Sequence, residues 1–267
     1  MACELFLLCT KGKLMIGIIL TSIERDALLF KSIQSILDNL QSDWMIIIGY
    51  QSKNKTLEFS HKQIYSYTLP YNCGLAYAKN DLVLKAVSLG CDHVLLTADS
   101  ICFEESMVKI NTIVQEMEQQ NYDLIGLNLR NRIPWEGLLK LIPNDSFEID
   151  FINLKEKDNQ LLVPCDIVRN FWIANINSIT KIPWDNNLLM CGHMEYFWRL
   201  KQSNIKIACT NLCNGLYIEG QNTPEYTKIR RENFKLGQQR VRDKYSLKSW
   251  VSYKNLESAK EYYKERG

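Results

Sequence analysis

The clearest chemical feature of this sequence is a carboxylate directly after a buried apolar run. The run His93-Val94-Leu95-Leu96 has no polar alternation, which is typical of a strand covered on both faces, and Thr97-Ala98-Asp99 follows it. In an open α/β sheet, ligands bind beyond the carboxyl ends of the strands, so Asp99 can reach a metal ion or a sugar hydroxyl. The alternative is that Asp99 caps a following helix, because Asp-Ser before an acidic turn is a helix start signal.

The elements before Asp99 are predicted as strands that alternate with helices. Unbroken apolar runs predict buried strands, and apolar residues at intervals of three and four predict amphipathic helices. Gly74 supplies the backbone freedom for a turn, after which a helix leads to the strand that ends at Leu96. The other elements predicted in this half are strands at Lys13–Thr21, Trp44–Gly49 and Gln63–Leu69 and a helix at Ala27–Leu40; the last strand begins at Asp92.

The second half contains shorter strands, two long helices and an irregular region. The predicted order is helix Met107–Gln120, strand Tyr122–Leu129, an irregular region or hairpin at Arg130–Asp145, a hairpin of Phe147–Leu154 with Leu161–Ile167, the short apolar run Phe171–Ala174, helix Met194–Ser203, strand Ile205–Cys209, and helices Pro224–Tyr245 and Leu256–Arg266. This order predicts an α/β fold, with a mostly parallel sheet flanked by helices. We predict one domain at residues 1–245 and a helical C-terminal tail at residues 246–267.

The composition is that of a globular protein. The chain has 267 residues, of which 46% are hydrophobic and 23% are charged, and this excludes a disordered chain. The net charge of +2, from 32 basic and 30 acidic residues, gives no reason to expect nucleic acid as a partner. Basic residues do gather between Lys228 and Lys244. We interpret them as a solvated helix face, with a binding site for phosphates or an anionic membrane as the alternative.

The cysteines and the N-terminus indicate a cytoplasmic protein. Nine cysteines, an odd number with no C-x-x-C pair, are typical of reduced thiols rather than of a disulfide framework or a structural zinc site. The apolar stretch Glu4–Cys9 is too short to span a membrane, and no basic segment precedes it as in a signal peptide. We therefore expect no transmembrane segment; contact of the tail with a membrane surface stays open.

Five blocks of the sequence together resemble a known family. In order, they are ILTSIERDALLFKSIQSIL, IIIGYQS, LPYNCGLAYAKN, HVLLTADS and WDNNLLMCGHMEYFWRLK. Over roughly Leu14 to Tyr245, they resemble nucleotide-sugar glycosyltransferases of the GT-A type and of the family 2 kind, and most of all the catalytic domains of β-1,4-N-acetylgalactosaminyltransferase-like enzymes. The resemblance implies a Rossmann-like GT-A fold. It also implies the transfer of a sugar, with inversion, from a nucleotide-sugar donor (a UDP-sugar) to an acceptor hydroxyl.

The resemblance implies a donor site at the ends of three strands. Its residues would be Thr21, Ser22, Glu24, Arg25, Tyr50, Gly74, Lys79, Thr97 and Asp99. The segment Thr97-Ala98-Asp99 stands where the family has its D-x-D motif, whose carboxylates bind the ribose and a divalent metal. Charge that develops on the departing diphosphate must be stabilised by a cation or by fixed positive groups. Asp99 is therefore the expected ligand of Mn²⁺ or Mg²⁺.

The resemblance also suggests a general base. The family has an acidic pair where this chain has Gly192-His193-Met194-Glu195, and one acid there usually deprotonates the acceptor hydroxyl. A neutral histidine near a helix N-terminus suits this role at neutral pH, so His193 is one candidate; a packed loop histidine is its alternative. Glu195 is the other candidate, with a helix-surface ion pair to Arg199 as its alternative.

The acceptor would be a glycan, a glycolipid or a protein that contacts the second half of the chain. Aromatic faces pack against sugar rings, and Trp135 and Trp184 lie in predicted loops beside proline. Asp185, next to Trp184, is included with them. The alternative is that each tryptophan belongs to the core.

Several positions depart from the family pattern. Thr97, Tyr50 and Gly192 stand where family members have acids, Lys79 replaces an arginine, and no histidine occurs at residues 217–221. Either Asp99 and the diphosphate hold the metal alone, or the metal has been lost and a basic cluster (Lys228, Arg230, Arg231 and Lys235) neutralises the leaving group. Two hypotheses therefore remain: an active inverting glycosyltransferase, and a catalytically degenerate GT-A-fold module for binding or assembly.

Overall fold

The computed structural model describes residues 14–39, 44–54, 56–132, 135–152, 160–220 and 222–257. The strands are β1 Ile16–Ile23, β2 Trp44–Gln51, β3 Ile64–Leu69, β4 His93–Leu96, β5 Ile101–Phe103, β6 Leu124–Arg130, β7 Gly137–Ile142, β8 Ser146–Phe151, β9 Val163–Cys165, β10 Trp172–Asn175, β11 Ile207–Tyr217 and β12 Val251–Lys254. The helices are α1 Asp26–Asn39, α2 Leu75–Ser88, α3 Ile110–Gln119, α4 Ile176–Ile179, α5 Gly192–Gln202 and α6 Pro224–Tyr245, with 3₁₀ turns at Glu105–Lys109 and Asn186–Leu188. The strands and helices predicted before Thr97 are confirmed.

A nine-stranded sheet forms the centre of the molecule. Its strand order is β3-β2-β1-β4-β10-β6-β11-β5, and β9 pairs with β11. Strands β1 to β4 are parallel, and β6 is parallel to β11. Strand β10 is antiparallel to both of its neighbours and joins the two parallel groups. The predicted mixed α/β architecture with a mostly parallel sheet is confirmed.

Helices cover both faces of this sheet. Ile19 of β1 points into a core packed by α2 and α5, whereas Ile18 and Leu20 point into the opposite core, packed by α1 and α3. Successive side chains of a strand alternate between faces, so a strand with a core on each side must be apolar at every position. This explains the unbroken apolar runs of the sequence.

A second, three-stranded sheet corrects two predictions. Strand β8 pairs with β7 on one side and with β12 on the other, and β9 joins the large sheet instead. The predicted hairpin of β8 with the segment around β9 is therefore wrong, because β8 forms a hairpin with the preceding strand β7 and β9 pairs with β11. The tail predicted to be helical contains β12. Most of the predicted helix Leu256–Arg266 and most of the predicted charged turn Leu154–Gln160 lie outside the described residues.

The parallel strands bring several loops to one edge of the large sheet. Ser22 of β1 is in register with Tyr50 of β2, and Ile19 is in register with Leu96, the last residue of β4. The residues that follow these strands, including Arg25 and Asp99, therefore emerge at the same edge.

Candidate active site

A cavity of about 570 Å³ opens at this edge of the large sheet. Its wall is formed by the ends of β1 and β4, the first turns of α2 and α5, the segment around Asn170 and one face of α6. Nine of the predicted site residues line it: Thr21, Ser22, Arg25, Gly74, Lys79, Thr97, Asp99, Trp135 and His193. Five do not: Glu24, Tyr50, Trp184, Asp185 and Glu195. The cavity is large enough for a small-molecule ligand.

Two hydrogen-bond donors hold the Asp99 carboxylate at this edge of the sheet. Ser22 Oγ donates to Oδ2 at 2.7 Å, and Arg25 Nη1 donates to Oδ1 at 3.0 Å. The carboxyl is only 4% exposed, and burial raises its pKa, while Arg25 and Ser22 act in the opposite direction. The residues after it form β5 rather than a helix, so the helix-cap alternative is wrong.

These residues fit a divalent metal poorly. Asp99 is the one acidic side chain among the described residues that line the cavity, and Arg25 already binds its Oδ1. Mg²⁺ usually takes one or two carboxylates together with phosphate oxygens, and here the cation would compete with a guanidinium. No group of three or more His, Cys, Asp or Glu side chains able to hold a metal occurs in the described ranges.

Lys79 and His193 share one hydrogen-bond acceptor. Lys79 Nζ donates to Asn170 Oδ1 at 2.8 Å, and His193 Nδ1 lies 3.1 Å from the same oxygen. Because lysine can only donate, the amide oxygen of Asn170 faces both groups, and Nδ1 of the neutral imidazole then carries the proton. Nε2 is consequently the nitrogen that can accept a proton.

Burial disfavours the charged form of both groups. It lowers the pKa of Lys79 to about 7. It also lowers the pKa of His193 to about 3, with a smaller contribution of the same sign from Lys79. In both cases a low-dielectric environment disfavours the charged form. At neutral pH, His193 is therefore a neutral imidazole on the cavity wall.

Glu195 lies outside the cavity and is fully buried. Arg199 Nε and Nη2 donate to its two oxygens at 2.7 and 3.0 Å, and Lys244 Nζ donates to Oε1 at 2.8 Å. Tyr245 Oη adds a fourth donor at 3.3 Å. The carboxylate joins α5 to the end of α6, and its position contradicts the prediction that it is the catalytic base.

Two predicted donor contacts point away from the cavity. Tyr50 is fully buried, and its hydroxyl donates to Asp26 Oδ1 at 2.6 Å, at the start of α1. Glu24 Oε1 accepts from Ser52 Oγ at 2.9 Å and from the backbone N–H of Lys53 at 3.3 Å. Both side chains connect the loops after β1 and β2, so they position the edge of the cavity without lining it.

The two tryptophans predicted to bind the acceptor differ in their surroundings. Trp184 is buried and stacks on Tyr196, with ring centroids 4.0 Å apart, so the prediction that it contacts the acceptor is wrong. Neighbouring Asp185 accepts from Lys244 Nζ at 2.7 Å and also lies outside the cavity. Trp135 lines the cavity, with its ring edge-on to His193 at 5.6 Å.

One face of α6 completes the wall, and we did not predict most of it. Tyr226, Ile229, Arg230, Asn233 and Phe234 line the cavity from this helix. Their spacing of three and four is a sequence signal that could have located them. Of the predicted basic cluster, Arg230 lines the cavity, whereas its other three members do not. Arg132, Arg169 and Asn170 also line it, and no local sequence pattern marks them.

Comparison with known proteins identifies the fold. Two crystal structures of S. aureus TarS superpose on 82% of this chain, each with a TM-score of 0.56 and 10% sequence identity. The chain has a GT-A fold. It spans 64% of the TarS 1–349 structure and 39% of the longer TarS structure. No protein-family model and no curated protein matches the sequence. No helix among the described residues is long and apolar enough to cross a membrane.

Proposed function

We propose that this protein is a glycosyltransferase that moves a sugar from a nucleotide-sugar donor to an acceptor hydroxyl with inversion. The observation that carries the proposal is the cavity at the strand ends, where the Asp99, Ser22 and Arg25 cluster and His193 line one space. Ligands of open α/β sheets bind at this edge. The likeness to TarS, a GT-A glycosyltransferase, supports the same reading.

The donor would lie along the ends of β1 and β4. Asp99 and Ser22 are suited to bind the ribose hydroxyls. Arg25 and Arg230 are suited to bind the diphosphate, because one guanidinium group can donate two parallel hydrogen bonds to phosphate oxygens. A UDP-sugar is the donor that the resemblance of the sequence favours, and an N-acetylgalactosaminyltransferase-like specificity is part of the same proposal. Trp135 offers an aromatic face to the acceptor, which we propose is a glycan, glycolipid or protein.

The reaction would be a single displacement. The acceptor oxygen attacks the anomeric carbon on the face opposite the diphosphate; the new C–O bond forms as the bond to the diphosphate breaks. The nucleoside diphosphate leaves with the electron pair, and the acceptor proton passes to Nε2 of His193. A bound diphosphate raises the pKa of the imidazole above its low value in the free protein, because a nearby anion favours the charged form.

The second candidate function is a GT-A-fold binding module without catalysis. Two observations favour it. Both oxygens of Asp99 already have partners, and Glu195, the other candidate base, is enclosed by Arg199, Lys244 and Tyr245. This module would bind a nucleotide or its sugar conjugate in the same cavity and release it unchanged.

The deciding experiment measures release of nucleoside diphosphate from a panel of nucleotide sugars, with and without glycan acceptors. We expect turnover with the native chain and a loss of roughly 100-fold or more in His193→Ala, the range for removal of a general base. The matched control is His61→Ala, since His61 is exposed and does not line the cavity. Binding without turnover would favour the second candidate, and the absence of both would refute the proposal.

A further inference from the structure

Basic side chains outnumber acidic ones around the cavity. Among the described residues that line it, Asp99 is the one acid, and the bases are Arg25, Lys79, Arg132, Arg169 and Arg230. Arg169 is neutralised by Glu136 in a buried ion pair at 2.9 Å, and Asp99 is neutralised by Arg25. Arg132 and Arg230, which are charged at neutral pH, give the cavity a positive potential that attracts anions and repels a free metal cation.

Two of these guanidinium groups meet at one tyrosine. Arg25 Nη1 lies 3.4 Å from Tyr226 Oη, and Arg230 Nη1 lies 3.5 Å from the same oxygen. The Arg25 guanidinium also stands 5.0 Å from the centre of the Tyr226 ring. Arg25 follows β1 and Arg230 belongs to α6, so the tyrosine holds together two cations from opposite sides of the cavity. A diphosphate has enough oxygen atoms to accept hydrogen bonds from both guanidinium groups.

Two residues of the cavity lining have polar side-chain atoms without a partner among the described residues. Arg25 Nε and Thr97 Oγ1 are buried and have no hydrogen-bond partner among the described residues. Thr97 is only 5% exposed, so its hydroxyl is withdrawn from bulk water. A buried polar group that lacks a partner costs free energy, which a ligand with acceptor oxygens would recover.

We infer that the cavity binds the diphosphate of its ligand through Arg25 and Arg230, assisted by Thr97, without a divalent cation. This rests on the proposed function and adds the means by which the leaving group is stabilised. The guanidinium groups supply the positive charge that a metal ion would otherwise supply. Asp99 keeps Arg25 in place and is not a metal ligand.

The test is calorimetric titration of the full chain with inorganic pyrophosphate and with UDP, GDP and CDP. Each ligand is titrated in EDTA and, separately, with Mn²⁺. We expect pyrophosphate and at least one nucleotide to bind in EDTA with the affinity measured in Mn²⁺. Binding that requires Mn²⁺ would overturn the inference and leave the glycosyltransferase proposal intact. Binding of pyrophosphate alone would uphold the inference against a nucleotide donor, and no binding at all would overturn both.

Variants test the residues themselves. Arg230→Ala should weaken pyrophosphate binding roughly 10- to 100-fold, which is the loss of affinity expected when a hydrogen bond to a charged group is removed. Arg231→Ala is the matched control, because Arg231 is the next residue of α6, is also exposed and does not line the cavity. Equal affinities in the two variants would overturn the assignment.

A second variant distinguishes diphosphate binding without a metal from binding through a metal that Asp99 holds. Asp99→Asn should change the affinity for pyrophosphate by the same factor in EDTA and in Mn²⁺, because Asp99 acts on the ligand only through Arg25. If Asp99 held a metal, the change would weaken binding in Mn²⁺ and leave binding in EDTA unaffected. A loss of affinity that is confined to Mn²⁺ would therefore overturn the inference. Arg230→Ala keeps the inference testable if this variant does not fold.

Discussion

Two buried carboxylates beside basic residues, Asp99 and Glu195, have different roles because of their remaining neighbours. Glu195 receives two hydrogen bonds from Arg199, one from Lys244 and one from Tyr245, so protein groups enclose it. Asp99 receives one bond from Ser22 and one from Arg25, and it lines the cavity. The first arrangement joins α5 to α6, whereas the second holds the Arg25 guanidinium at the cavity.

Replacing Glu195 should therefore affect stability before catalysis. Glu195→Gln removes the charge that pairs with Arg199 and Lys244. We expect the free energy of unfolding to fall by about 3 kcal/mol, as when one partner of a buried ion pair is removed. Urea denaturation followed by tryptophan fluorescence measures this, with Glu232→Gln on the exposed face of α6 as the control. Unchanged stability together with lost turnover would restore Glu195 as a candidate base.

At the scale of elements, α6 contributes one side of the cavity wall that we did not predict. It is a polar helix whose ends are well defined. Thr223 Oγ1 accepts from the backbone N–H of Tyr226 at 3.1 Å, Pro224 occupies the first turn, and Ser246 ends the helix in a left-handed conformation. Such signals locate a helix from the sequence alone. They do not indicate that Tyr226 and Arg230 face a ligand.

Loss of the N-terminal cap should loosen the part of α6 that lines the cavity. Thr223→Ala removes the acceptor of the Tyr226 N–H and should cost about 1 kcal/mol. We expect faster hydrogen exchange in the first two turns of the helix and weaker pyrophosphate binding. Thr227→Ala is the control, since this threonine lies within the same helix and its side chain is exposed. Identical exchange in the two variants would contradict a role for the cap.

For the whole molecule, the cavity joins the two halves of the chain. Lys79 belongs to α2 in the first half and His193 to α5 in the second, and both are buried against Asn170. Folding thus brings two ionisable groups into a low-dielectric site at once. Because their pKa values fall on folding, the stability of the molecule must depend on pH.

The direction of this dependence follows from proton binding. Between pH 3 and 6.5 the unfolded chain binds a proton at His193 that the folded protein does not, and between pH 7 and 10.5 the same holds for Lys79. Both groups therefore make the free energy of unfolding rise with pH, by about 5 kcal/mol for each group across its full window.

Denaturation at a series of pH values should show this rise. His193→Gln should flatten the lower window, and Lys79→Met should flatten the upper one. The controls are His61→Gln and Lys62→Met, which change exposed residues of the same types. Slopes that are equal in the native chain and all four variants would show that neither group is buried as described.

Local sequence patterns were sufficient to predict most elements, the strand-end position of Asp99 and the bounds of α6. Apolar periodicity and capping residues act over a few neighbouring residues, so a single sequence contains them. The mispaired hairpin shows the limit, because both neighbouring strands were available to β8, and its second partner, β12, lies about 100 residues further along the chain.

Only the tertiary structure separated residues of the same type into different roles. Trp135 lines the cavity while Trp184 stacks in the core, and Arg230 lines it while Arg231 does not. The chemistry of a side chain is visible in the sequence, but its partners are not. The sequence left Glu195 as a candidate base, because it does not show that Lys244, 49 residues further along the chain, donates a hydrogen bond to this carboxylate. Burial and ion pairing depend on residues that are far apart in the sequence, and they determine which charged groups remain available to a ligand.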